Sequence, residues 1–451
     1  MAKNNNRFVC QSCGSVHTQW MGQCSRCGTW NSIVEEKLPL LSSKERRNPG
    51  SSKAQPTQLQ TIQSKQRERL HLDDEEFNRV SGGGLVPGSV LLIGGEPGIG
   101  KSTLMLQLAM HFAHGKVLYV SGEESPEQVK LRADRLGQQT SEVYLLAETN
   151  THSILEQMHA LNPGLCIVDS IQTLHSPELD SAPGTVSQIR EASNELIAFA
   201  KQTHTPLILI GHITKEGSLA GPKVLEHMVD VVLQFEGDRN HVYRLLRAQK
   251  NRFGSTAELG IYEMVGSGLR QVSDPSEILI SRRDENLSGV AIGIALEGAR
   301  PMLIETQSLV STAVYGTPQR STTGFDARRL NMLLAVLEKR CGFRLATRDV
   351  FLNITGGLRI DDPAMDLAVV AAILSSAEDM ALPTKFAFTA EVGLGGELRP
   401  VSRIDQRLAE ASKLGYETCF ISKHARLESK HPGIKIMALN RVDQVFAQLF
   451  G

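Results

Sequence analysis

The stretch "SVLLIGGEPGIGKSTLMLQLAMHFAH" runs from Ser89 to His114. Its opening, "SVLLIGG", is an unbroken apolar run of strand length. Its close, "STLMLQLAMHFAH", carries apolar residues at helical spacing. Between them "GEPGIGKST", Gly95 to Thr103, fits GxxxxGK[ST] in the strand–loop–helix order that a phosphate-binding loop requires. Glycine at 95, 98 and 100 lets backbone N–H groups close around phosphates, and the helix N-terminus adds positive potential. ATP is therefore expected on Gly95, Glu96, Pro97, Gly98, Ile99, Gly100, Lys101, Ser102 and Thr103. Lys101 would reach the β- and γ-phosphates, and Ser102 would ligate Mg²⁺.

Working outward, "KVLYVSG", "LCIVDS" and "PLILIGH" are further runs that read as strands buried on both faces. The helical pattern "TVSQIREASNELIAFAKQTH" separates two of them. Alternation of this kind implies an α/β fold, a mainly parallel sheet with helices on both faces. Asp169 ends one strand, where it would orient the Mg²⁺ water shell. "VLYVSGEES" ends in Glu123 and Glu124. Glu123, first after the Ser-Gly turn, is the expected carboxylate that polarises the attacking water. Glu124 also reads as a plain helix N-terminal acid. His212, at the end of "LILIGH", is either a γ-phosphate sensor or a satisfied strand-end histidine.

"VYRLLR", Val242 to Arg247, alternates like a half-buried strand, and "AQKNRFGST" follows it. Lys250 and Arg252 lie two apart, so they share one face at the strand end, and Gly254 lets the chain turn. A solvated strand end is the plain alternative.

The N-terminus reads "FVCQSCGSVHTQWMGQCSRCGTW". Cys10, Cys13, Cys24 and Cys27 form CxxC–x10–CxxC, two knuckles that complete a tetrahedron around one Zn²⁺. With four sulfurs no open position remains, so the metal is expected to be structural. Cys166, Cys341 and Cys419 read as buried thiols.

The chain has 451 residues, 41% apolar and 22% charged, an ordinary globular composition long enough for about three domains. No signal-peptide core is present, and "LAVVAAIL" is too short to span a bilayer. A cytoplasmic protein without a membrane partner is expected. The net charge of −1 hides an asymmetry. Residues 1–70 hold 11 Lys and Arg against 4 Asp and Glu, a balance of +7, and the remainder is −8. A basic arm on a mildly acidic body suits a polyanion. Aromatic content of only 5% favours backbone electrostatics over base stacking. The organisation expected is a zinc finger over residues 1–35, a flexible linker over 36–65, the ATPase domain over 66–272 and an α+β domain over 273–451. In the last, "GVAIGIALEG" and "RPMLIETQSLV" read as strands, and "DARRLNMLLAVLEKRCG" and "PAMDLAVVAAILSSAE" as helices.

"GGGLVPGSVLLIGGEPGIGKST", the "SGEES" segment, "IVDS", "GHITKEG" and "KNRFG" together resemble the RecA-superfamily ATPase core of the bacterial RadA (Sms) family of DNA repair proteins. The four-cysteine module and the C-terminal region match that family too, so the resemblance spans the whole chain. It implies a RecA-like fold and a DNA-dependent ATPase of helicase or branch-migration type. Such an enzyme processes recombination intermediates and stalled forks beside a RecA-type recombinase. The implied partners are single-stranded and branched DNA, and the implied assembly is a homohexamer. It also implies that the motif Lys250, Asn251, Arg252, Phe253 and Gly254 acts on a neighbour's ATP or couples nucleotide to DNA. "HITKEGSLAGPKVLEH", with Lys215 and Lys223, is the expected DNA-facing loop, and "SPELDSAPGTVSQIR" is the other candidate. A nucleotide switch that never translocates is one alternative function, and an ATP-dependent protease another.

The protease alternative comes from the C-terminal region, which resembles the proteolytic domain of Lon proteases. That family uses a Ser–Lys dyad. Asp362, Pro363 and Ala364 stand where Gly, Pro and the nucleophile belong. Ser402, Arg403, Ile404 and Asp405 stand where Gly, Gly, Leu and Lys belong. A methyl group cannot attack a carbonyl. Ser375 and Ser376, about three helical turns further on, are too remote to stand in. The expectation is a Lon-like fold without peptidase activity, kept as a ring-forming platform. Arg328, Arg329, Lys339, Arg340, Arg344 and Arg348 would line one face of it.

Overall fold

The computed structural model describes residues 6–11, 14–37, 68–137, 140–211, 224–237, 243–274, 276–280, 287–313, 317–355 and 359–451. They form two compact units, one reaching Gln271 and the other beginning at Val272.

At the N-terminus β1 (Asn6–Cys10) lies between β2 (Val16–His17) and β3 (Ile33–Lys37), antiparallel to both. The core beneath is only Cys10, Cys24 and Ile33, with Phe8 and Met21 against it. So small a core cannot hold a sheet by itself, and metal binding supplies folding energy in modules of this kind. β3 includes Glu36 and Lys37, so the linker expected from residue 36 starts two residues later. Residues 38–65 of it lie outside the described residues.

Helix α1 (Glu75–Ser81) leads into the main sheet, with Asp74 as its N-cap. The sheet strands are β4 (Val90–Gly95), β5 (Val117–Ser121), β6 (Val143–Ala147), β7 (Leu165–Asp169), β8 (Leu207–Ile210), β9 (Val231–Gly237), β10 (Tyr243–Asn251), β11 (Leu259–Val265) and β12 (Gly268–Gln271). Their order is β12-β11-β10-β9-β4-β8-β7-β5-β6. The strands from β9 to β6 in that order are parallel, and β10–β12 extend the sheet antiparallel. The apolar runs are unbroken because each strand feeds two cores. Leu91, Ile93, Tyr119, Ile167 and Ile208 face one of them. Val90, Leu92, Val120, Val168 and Leu209 face the other. Helix α2 (Lys101–Met110) covers the first face, while α4 (Thr151–Leu161) and α5 (Val186–Thr203) cover the second; α3 (Pro126–Leu136) carries a capping box at Ser125. The helical pattern runs to His114, but α2 stops at Met110. Its carbonyl is taken by the amides of Thr140 (2.9 Å) and Ser141 (3.1 Å), which a continuing helix would need. The strand expected to end around Lys250 and Arg252 runs from Tyr243 to Asn251, with a bulge between Ala248 and Lys250 that the alternation does not show. A short helix, α6 (Val224–Met228), precedes β9.

The second unit is α+β. After α7 (Ser276–Leu279) its main sheet takes β13 (Val290–Glu297), β14 (Arg300–Thr312), β15 (Arg320–Thr323), β16 (Arg348–Ile354) and β17 (Phe386–Thr389). It is completed by β20 (Thr418–Ser422) and β21 (Lys435–Leu439), while β18 (Glu391–Val392) and β19 (Leu398–Arg399) pair separately. Helix α8 (Ala327–Cys341) runs from the N-cap Asp326 to Gly342. A 3₁₀ turn, Pro363–Met365, precedes α9 (Asp366–Glu378), whose first ten residues are all buried. Burial all round explains "LAVVAAIL" without a membrane, and no helix among the described residues is long and apolar enough to cross one. Helices α10 (Ile404–Lys413) and α11 (Val442–Phe450) complete the unit.

Candidate functional site

The phosphate loop leaves the C-terminal end of β4 in the middle of the sheet. Gly98 and Gly100 have φ of 77° and 113°, which favour glycine. At Gly95 a Cβ would come 2.7 Å from the Phe235 carbonyl oxygen, so the loop lies against β9 only because no side chain is there. Lys101 is the first residue of α2 and is 4% exposed. Its Nζ donates to Gly95 O (2.8 Å) and Glu96 O (2.9 Å). Burial lowers its pKa, and the charges of Asp169 and Glu123 oppose that shift. The three predicted groups thus share one electrostatic neighbourhood. Ser102 and Thr103 follow in the first turn of α2, half-buried.

Asp169 ends β7 opposite Ser121 of β5. Its Oδ2 accepts from Tyr119 OH at 2.8 Å, which fixes the carboxylate. Burial holds the Tyr119 phenol well above its usual pKa, so it remains a donor. Gly122 is obligatory in the turn, since a Cβ there would overlap Thr173 Oγ1 at 2.0 Å. Glu123 Oε1 accepts from Ser170 Oγ at 2.7 Å. Ser170 was not read from the sequence; its position directly after Asp169 was the available signal. Glu124 is bound by Arg132 of α3, which supports its plain reading. His212, Lys215 and Lys223 lie outside the described residues. The other loop candidate is tied down: Gln188 Nε2 donates to Leu179 O and Ser181 O, both at 2.9 Å.

Lys250 and Arg252 stand at the other end of the sheet. Lys250 pairs with Val232 on β9, and Val232 with Leu92 on β4, three residues before Gly95. Three residues are about 10 Å of strand, and β10 runs away from the loop. Arg252 N donates to Asp230 O, and Asp230 N to Val90 O, at the entry end of β4. Lys250 does not project freely as the alternation suggested. Its Nζ donates to Glu226 O and Val229 O (both 2.7 Å) at the C-terminal end of α6, where a cation is favoured. Burial, then the Arg252 charge, lowers its pKa. The Arg252 side chain is 57% exposed, with Nη1 3.4 Å from Asp230 Oδ1. Asp230, 5% exposed, also binds Lys201 Nζ (2.5 Å) and Val90 N (3.0 Å). That hub was missed; an Asp directly before the apolar run "VVLQF" was its signal. The chain bends at Arg252–Gly254 as expected, although Gly254 does not need a positive φ to do so. It is there for contact, because a Cβ would lie 2.8 Å from Gly82 Cα. Asn251 Nδ2 reaches Val80 O, and Arg69 Nη2 reaches Phe253 O, closing the motif onto the α1 turn.

In the zinc module the sulfurs of Cys10, Cys24 and Cys27 lie within 4.8 Å of one another, and Cys13 falls outside the described residues. Cys10 Sγ and Cys27 Sγ are 3.7 Å apart. That is too long for a disulfide and close to the about 3.8 Å edge of a tetrahedral zinc–thiolate site. A hydrogen bond from Ser15 pushes the Cys24 thiol down to about 5, toward the thiolate a metal needs. The donors present fit Zn²⁺.

In the second unit the two segments read as a degenerate dyad meet through other residues. Ala364 is 0% exposed. Asp405 accepts from the Glu428 and Ser429 amides and lies 2.8 Å from His431 Nε2, which pushes its pKa down to about 2. Asp362 Oδ2 pairs with Arg407 Nη2 at 2.8 Å, and Arg407 is 1% exposed. Ser375 and Ser376 receive the amides of Gly289 and Val310, so both hydroxyls are structural. Arg329, expected on a basic face, is instead bound by Asp366 and Glu391.

Three family comparisons match parts of the chain: an AAA domain over residues 55–218, a rubredoxin metal binding domain over 8–35, and the ChlI subunit of Mg-chelatase over 305–425. A crystal structure of the RadB recombinase aligns with 45% of this chain and 100% of its own at 21% identity, TM-score 0.38. The DNA repair protein RadA of Streptococcus pyogenes serotype M6 is 46% identical over 452 residues, all of both chains. The RadA protein of Bacillus subtilis is 45% identical over 458 residues, again all of both. That of Synechocystis is 45% identical over 98% of this chain and 94% of its own. On this full-length identity, the chain belongs to the RadA family of DNA repair proteins.

Proposed function

We propose that the protein is a DNA-stimulated ATP hydrolase that translocates on, or branch-migrates, recombination intermediates and stalled forks. It works as a homohexamer in the cytoplasm beside a RecA-type recombinase, on single-stranded and branched DNA. Residues 95–103 hold ATP, Ser102 and Asp169 hold Mg²⁺, and Glu123 orients the attacking water. Zn²⁺ on Cys10, Cys13, Cys24 and Cys27 is structural.

One observation carries the reading: Arg252 is exposed at the sheet end opposite its own phosphate loop. A guanidinium there has no route to the ATP of its own chain, so a finger role for it requires a neighbour's loop. Trans-acting fingers of this sort are worth about 10³–10⁵ in rate. Lys250 supports a coupling role, because it holds the end of α6, whose residues Val224 to His227 close the candidate DNA segment. The domains run 1–37, 38–65, 66–271 and 272–451, the last Lon-like in fold and without peptidase activity.

The experiment mixes two inactive variants, Lys101→Ala and Arg252→Ala, and measures phosphate release with and without single-stranded DNA. Recovered turnover in mixed rings is expected. No recovery at any ratio, in rings shown to be mixed, rejects trans action. Turnover indifferent to DNA favours the nucleotide switch. DNA affinity should also fall steeply with salt, since neutralised phosphates release counterions.

A further inference from the structure

Trp20 and Trp30 are the two tryptophans of the chain, and both stand on the zinc module. They are 59% and 68% exposed. Indoles contribute most when buried, so leaving both in water forfeits a large part of what so small a module has to bury. They also converge. A Cβ built on Gly22 would lie 3.7 Å from Trp30 Cζ3 and 3.9 Å from Trp20 Cη2, so both rings flank one residue without a side chain. The backbone holds them there: Asn31 N donates to Gly22 O at 2.7 Å, and Gln23 bridges to Trp30. The two rings therefore sit on a pinned hairpin.

The surroundings are polar. Gln19, Gln23, Arg26 and Asn31 are all exposed beside them in sequence, and Arg26 is the cation among them. An aromatic pair with amide and guanidinium neighbours suits a flat π-system attached to phosphate better than an apolar protein surface.

We propose that Trp20 and Trp30 form a stacking platform for unpaired nucleobases of single-stranded DNA, with the exposed Arg26 as the neighbouring cation for the phosphates. The inference rests on the DNA-acting reading above and adds a place of base contact. It reverses the expectation drawn from aromatic content, because what matters is where the few aromatics stand. Stacking accepts every base, as a protein acting on arbitrary sequence requires.

Because these are the only tryptophans, intrinsic tryptophan emission of the full-length chain reports on the platform alone. The test titrates the zinc-loaded protein with oligo-dT in the presence of an ATP analogue. Anisotropy of a labelled oligomer is followed in parallel, and an abasic oligomer of equal length serves as control. Emission should be quenched with the same half-saturation as the anisotropy rise, and the abasic oligomer should bind without quenching. Trp20→Ala and Trp30→Ala should each weaken oligo-dT binding by about tenfold, and Trp→Phe at either position should keep most of it. Zinc content should remain one per chain in all variants, which separates platform loss from misfolding. Binding without an emission change, or equal quenching by the abasic oligomer, overturns the platform and leaves the DNA reading standing. Quenching by a recombinase alone, and not by DNA, overturns it in favour of protein docking. No anisotropy rise for the native chain removes the DNA reading and the platform with it.

Discussion

The phosphate loop and the Asp362–Arg407 crevice each bury a cation beside the start of a helix, but they satisfy it differently. The Lys101 ammonium rests on two carbonyls of its own loop, Gly95 O and Glu96 O. Those partners can be exchanged for phosphate oxygens without moving another element. Arg407 is held at all three of its nitrogens. It donates to Asp362, to Ile294 O at 2.6 Å and to Ser402 O at 3.0 Å. Asp362 is equally committed, to Arg407, Leu296 N and Ala364 N. A cation with replaceable main-chain partners is equipped to bind; a cation locked to a part-buried carboxylate is part of the scaffold.

The comparison is broken most directly at Lys101. Lys101→Ala should lower ATP turnover by at least about 10²–10³-fold while leaving the melting temperature near that of the native chain, checked by phosphate release and calorimetry. Near-native turnover would show that the buried ammonium is scaffold too. Arg407→Ala should do the opposite. It leaves the part-buried Asp362 with two amides but no cation and removes a buried guanidinium, costing about 3 kcal/mol in the second unit, read by thermal unfolding, with ATP analogue still bound. Replacing both partners with apolar residues should recover much of that loss.

Gly254→Ala tests the contact between the KNRFG motif and α1. The new methyl meets Gly82 Cα, and a cost of about 1–3 kcal/mol is expected in a denaturant midpoint shift. A smaller effect is expected at Asp74, whose pKa burial pushes up to about 6. The fold binds this proton more tightly than the unfolded chain does. The stabilisation is therefore complete below the unfolded value of about 3.9 and lost as pH rises through about 6. Asp74→Asn, which keeps an acceptor for Phe77 N, should flatten stability between about pH 4 and 7. The last prediction is of no effect: neither the native chain nor Ala364→Ser should degrade labelled casein with ATP. The site of the new hydroxyl is fully enclosed, and Asp405 is held by Glu428, Ser429 and His431. Cleavage by either would restore the protease alternative.

The residues proposed to surround ATP were legible because each sits at a strand end within a short local pattern. Lys101, Asp169 and Glu123 come together because parallel strands put their C-terminal ends on one edge of the sheet. The KNRFG motif was legible as a motif but not as a geometry. Alternation over six residues could not show a bulge at Ala248, and no local signal says that α6 offers its carbonyls to Lys250.

The parallel strands and the strand–loop–helix at Gly95–Thr103 were readable from the sequence alone, and the paired cysteine spacing was visible there too. All of these rest on spacings of a few residues, where covalent geometry limits what the chain can do. Only the tertiary structure decided which charges are partners. Asp230 with Lys201 and Arg252, Asp362 with Arg407, and Arg329 with Asp366 join residues 22 to 45 positions apart. Whether a charge is a ligand, a finger or a strut depends on burial and on what faces it. Both are set by how elements pack, which no local pattern records.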